Sequence, residues 1–127
     1  MRAVLFRGKR HDGIWMYGDL LHSCCNTYTI IQPEMIQRHI VLEETVGQFT
    51  GLYDKNGMRI FEGDIVDAWS AGGHLPNGII KWGEGIAGFF IMHPKCNAVW
   101  HLVENDQNKE TLEVVGNIHD NPELLDL

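Results

Sequence analysis

Three residues in the last third of the chain, His93, Cys96 and His101, carry donor types that zinc accepts, and a histidine and cysteine three apart can reach one ion from a single loop. His74 and His119 lie elsewhere, and no CxxC or HxxxH pair supplies a further ligand at a zinc-site spacing. Scattered surface histidines are therefore the expected reading, with no metal. His22, Cys24 and Cys25 form a second polar group, but adjacent cysteines chelate one ion poorly. Cys96 beside His93 has the composition of a thiolate pair, against which stands the commoner case of a partly buried structural thiol. The only serines, Ser23 and Ser70, sit in no nucleophile elbow, and no GxxxxGK[ST] or GxGxxG loop is present to cradle phosphate. Asp64 and Asp67 are three apart, which on a strand puts them on opposite sides, so they make a poor acid–base pair. Asp64, next to Gly63, is expected to bond the backbone of its own turn. These residues predict a protein that is not an enzyme and uses no cofactor.

Positioning any of these groups falls to short strands. Residues 2–8 read as a strand ending at Gly8, and after the turn at His11-Asp12-Gly13, residues 14–21 read as its return. Ile14, Met16 and Leu20 share one face of that return strand, and Trp15, Tyr17 and Leu21 the other. Apolar groups on both sides predict that it is covered twice, by another lobe or by a second copy of the chain. The β-branched run Tyr28 to Ile31 ends at Pro33, after which 33–39 reads as one helical turn or a loop and 40–44 shows no clear pattern.

The stretch from Thr50 to Val66, TGLYDKNGMRIFEGDIV, is the most instructive. Asp54-Lys55-Asn56-Gly57 predicts a hairpin, either a type I turn closed by a bulge at Gly57 or a type I′ turn centred on Asn56-Gly57. Phe49 to Tyr53 then pairs with Met58 to Phe61, and Glu62-Gly63 bends the chain into a new strand. Beyond it, residues 64–69, 77–82, 88–92, 99–103 and 111–118 read as five strands with turn residues between them. Five short strands predict an SH3-like small barrel. Asp120-Asn121-Pro122-Glu123 predicts a short C-terminal helical turn with proline in its first position.

TGLYDKNGMRIFEGDIV closely resembles the signature of the YopX family, small proteins of phages and prophages, which reads T-G-L-x-D-K-N-G-x-x-I-x-E-G-D-I-V. MRAVLFRGKR at the start, ETVGQFTGL before the signature and EVVGNIHDNPELL at the end agree with it, so the resemblance spans nearly the whole chain. It implies the small-barrel fold and brings no catalytic motif. The predicted class is mainly β: an N-terminal β-hairpin region over 1–62, then an SH3-like barrel and C-terminal turn over 63–127, as one compact unit.

With 127 residues and a formal charge of −7, the chain on average repels duplex DNA and anionic membranes. Its one basic cluster, Arg2, Arg7, Lys9 and Arg10, reads as a solvated edge. No apolar run approaches the ~20 residues of a membrane span, and three cysteines form no even framework, so a cytoplasmic protein with reduced thiols is expected. Since barrels of this kind bind through loop aromatics, the expected partner surface is Trp69, His74, Trp100 and Tyr53, with Trp82 in the core and Trp15 and Tyr17 at a subunit contact. The expected function is a phage or prophage accessory protein that binds another protein, with homo-oligomerisation as a further expectation. Single-strand nucleic-acid binding is the alternative, and a metal-dependent enzyme the third reading.

Overall fold

The computed structural model describes residues 5–23, 28–33, 37–70, 73–86, 88–94, 98–101 and 112–125, and of 68–70, 74–75, 86 and 98–101 the backbone alone. The chain forms two compact units, Met1–Phe49 and Thr50–Leu127. Every described strand pairing is antiparallel.

In the first unit β1 (Phe6–Lys9) lies between β2 (Trp15–His22) and the start of β5 (Gly47–Tyr53), while β2 continues to β3 (Thr29–Gln32) and β4 (His39–Val41). Beyond β4 the chain curls back to β1. The Leu42 N–H donates to the Lys9 carbonyl at 2.8 Å, and the Lys9 N–H donates to Thr45 Oγ1 at 2.8 Å from the 3-10 turn Glu43–Thr45. The curl encloses Ile31, Val41, Thr29 and Thr45, all buried. It depends on Gly8, where a Cβ would sit 2.8 Å from Val41 Cγ2. Arg7 is buried, 6% exposed, rather than at a solvated edge as expected, and its guanidinium lies 4.9 Å from the Trp15 ring centre, a cation–π contact.

In the second unit β5 neighbours β6 (Arg59–Phe61), and a separate sheet runs β10 (Ala98–His101), β9 (Gly88–His93), β8 (Gly73–Gly83), β7 (Asp64–Ser70), β11 (Glu113–Asn117). Alternation in these strands buries Ile60, Val66, Ile80, Phe89, Ile91 and Leu112 as one cluster, with Leu52 and Val114 packed against it. The expected closure into an SH3-like barrel is not seen. Among the described residues no pairing joins the outermost strands β10 and β11, because β11 extends the sheet on the β7 side and leaves it open. The mainly β class stands, and the C-terminal turn is a 3-10 turn, Pro122–Leu125, tied to β8 by the Asn77 side chain donating to the Leu124 carbonyl at 2.9 Å.

The turn at 54–57 is the type I form. Gly57 N–H donates to the Asp54 carbonyl at 3.1 Å, which centres the turn on Lys55-Asn56, and Gly57 takes φ 79°. β4, by contrast, occupies a stretch in which no pattern was visible, and β8 begins four residues before its predicted start, at Gly73.

Candidate functional site

Asp54 sits at the end of β5, only 3% exposed, and its carboxylate accepts three backbone N–H groups: Asn56 at 2.8 Å and Met58 at 2.9 Å on Oδ1, and Val114 at 2.9 Å on Oδ2. Asp64 is likewise buried, its Oδ2 accepting the Phe61 N–H at 2.8 Å across the Glu62-Gly63 bend. Both aspartates of the central stretch thus hold backbone in place and offer little to a substrate.

His93, one of three residues with metal-ligand chemistry, is fully buried at the end of β9. Its Nδ1 lies 2.7 Å from the Pro76 carbonyl, which can only accept, so Nδ1 carries a proton and donates it. Two local features make this room. β8 bulges at Pro76-Asn77, where the register shifts, so proline loses no ladder bond, and Gly78 leaves the ring its space, since a Cβ there would lie 2.8 Å from His93 Cε1. Nε2 is buried with no hydrogen-bond partner. His101 pairs in register with Phe90, an odd step along β9 from His93, and its side chain and Cys96 lie outside the described residues. No group of three or more His, Cys, Asp or Glu is arranged for a metal among the described residues. Replacing His93 with alanine is expected to cost about 2–4 kcal/mol by leaving a cavity and an unpaired carbonyl. Urea unfolding measures this, and an unchanged midpoint would contradict the packing role.

Of the expected partner surface, Tyr53 is 47% exposed at the end of β5. Trp69 and His74 are directly opposed in the β7–β8 pairing, and Trp100 is opposed to Ile91, but the side chains of all three lie outside the described residues. Trp82 corrects the sequence reading. It shares the face of the buried Ile80 as expected, yet is 44% exposed, one residue before β8 ends, with Phe89 packed against it edge to face at 5.0 Å.

A groove of about 480 Å³ in the first unit escaped the sequence altogether. Thr29 and Val41 line it as buried residues, while His11, His22, Tyr28, Ile40, Glu43 and Glu44 contribute exposed side chains. These come from two turns and the ends of three strands, so no local spacing announces them.

The family described as YopX protein matches residues 4–126. The chain belongs to the YopX family. Among solved structures this YopX chain is similar to that of protein EF1440 from Enterococcus faecalis, with TM-score 0.59 and 25% identity over 99% of this chain and 100% of that one. Comparison with curated proteins gives no match. Among the described residues of this family member no helix is long and apolar enough to cross a membrane.

Proposed function

We propose that this YopX-family chain is a non-enzymatic binding module, encoded by a phage or prophage and working through protein contacts in the cytoplasm of its bacterial host. The observation that carries this reading is the pair of aromatic side chains left in water in the second unit, Tyr53 and Trp82, 47% and 44% exposed. Aromatics supply most of the anchoring energy of protein interfaces, because covering them removes a large rigid apolar area from water at little entropic cost. Supporting it, Asp54 and Asp64 in the same unit are already engaged by backbone amides, which favours recognition over acid–base work. By sequence, Trp69, His74 and Trp100 belong to the same proposed surface.

Affinity capture from host lysate with the wild-type chain, Trp82→Ala and Tyr53→Ala tests the reading. A specific partner, which includes a second copy of this chain, should be retained by the wild type and depleted about tenfold or more by one of the variants, as expected when an interface anchor is truncated. Matching far-UV circular dichroism establishes that the variants fold. A captured set indifferent to both substitutions, or turnover of a substrate by the purified chain, would overturn the proposal.

A further inference from the structure

The groove in the first unit has a chemistry of its own. Glu43 and Glu44 form the first turn of the 3-10 segment, both are exposed, and neither makes an ion pair or side-chain hydrogen bond among the described residues. Arg10, beside His11, does not neutralise them, since its guanidinium bonds Asp12 at 2.6 Å and lies 3.5 Å from His39 Nδ1. The lining residues therefore include the two carboxylates of Glu43 and Glu44 and no lysine or arginine. A second and independent feature lies beneath them. Thr29 is 8% exposed, lines the groove, and its hydroxyl has no hydrogen-bond partner among the described residues. Its oxygen is not among the fully buried unpaired atoms, so it remains reachable from the groove. Walls of Ile40, Val41 and Leu42, together with the exposed Tyr28, add apolar and aromatic surface beside these acceptors.

We infer that this groove binds an ammonium or guanidinium group carried on a short hydrocarbon arm, with Glu43 and Glu44 supplying the charge and Thr29 accepting a hydrogen bond at the floor. A carboxylate pair favours a cationic donor through charge-assisted hydrogen bonds, and the Tyr28 ring offers a π face to the same cation. Ile40, Val41 and Leu42 give the arm apolar contact in a groove that is otherwise mostly polar, and the volume of about 480 Å³ falls in the range of small-molecule sites. A bare metal ion fits less well, since the His and Glu donors are not arranged around one point.

The same chemistry is offered by a free diamine or by an arginine or lysine side chain of a peptide, so the test has two arms. The full chain is titrated by calorimetry with agmatine, with the capped peptide Gly-Arg-Gly, and with Gly-Glu-Gly as control. Saturable binding of agmatine identifies a small-molecule site, and binding of the arginine peptide alone identifies a partner's side chain; either supports the inference. Glu43→Gln with Glu44→Gln should weaken binding about tenfold or more, as removal of charge-assisted bonds requires, and Thr29→Val, which keeps the volume, about threefold or more. Tyr53→Ala should leave it unchanged, which keeps the outcome separate from that of the partner surface. No saturation by either cationic probe at millimolar concentration, equal binding of Gly-Glu-Gly, or affinity untouched by the Glu43 and Glu44 substitutions overturns the inference.

Discussion

Asp54→Ala is expected to destabilise the second unit by about 3–5 kcal/mol, the largest effect of any single side-chain removal in the central stretch. The carboxylate is 3% exposed and is the acceptor for three amides, two inside its own turn and one, Val114, on β11. Alanine leaves those donors without a partner where water reaches them poorly, and a hydrogen bond to a charged group is worth more than a neutral one. Asn56 and Val114 should then exchange their amide protons far faster. Asp54→Asn sharpens the test: its amide group keeps one acceptor oxygen but turns a donor toward another donor, so it should fall between wild type and alanine. A guanidinium titration in which Asp54→Ala keeps its midpoint would mean that the turn is held by Gly57 and the ladder alone.

Gly18→Ala is expected to cost the first unit about 3 kcal/mol or more, at the upper end of overpacking penalties. A Cβ at Gly18 would lie 2.3 Å from the Gln32 carbonyl oxygen, 2.6 Å from its carbon and 2.8 Å from Pro33 Cα. All three are backbone atoms, so no rotamer change relieves the contact, and β2 must separate from β3 around the Asp19↔Gln32 pair. The first unit should lose its native strand signal at lower temperature than the wild type. If the variant melts with the wild type, β2 and β3 lie further apart at that point than the structure has them. Gly8→Ala, whose Cβ meets the side chains of Val41 and Ile31 rather than backbone, should cost less.

These two positions also mark what sequence makes legible. The turn at 54–57, the bend at Gly63 and the strands on either side follow from neighbouring residues, because Asp, Gly and alternating apolar groups act within a few positions of one another. Asp64 bonding its own bend was readable for the same reason. The partners of distant residues were not. Nothing near Asp54 points to Val114, sixty positions later, and nothing near Gly18 announces the Gln32 backbone. Whether a sheet closes is the same kind of question, decided by which strands meet at its edges, and strand number together with the family resemblance suggested a barrel where β10 and β11 remain apart among the described residues. Trp82 shows a subtler limit: period two assigned its face correctly, but not the point along β8 at which cover runs out. The groove was invisible because its lining is assembled from residues 11 to 44 by the curl of the strands.

The stapling of the central turn to β11 has a bearing on how the protein is made. Lys55 N–H reaches the Leu112 carbonyl at 2.9 Å and Val114 N–H reaches Asp54, so the two closures need residues far along the chain from the turn itself. A nascent chain halted before Leu112 would have its first unit's described strand pairings available, yet would hold the central hairpin by local bonds alone. Closure of the central turn is thus a long-range event, which must wait until β11 has been made.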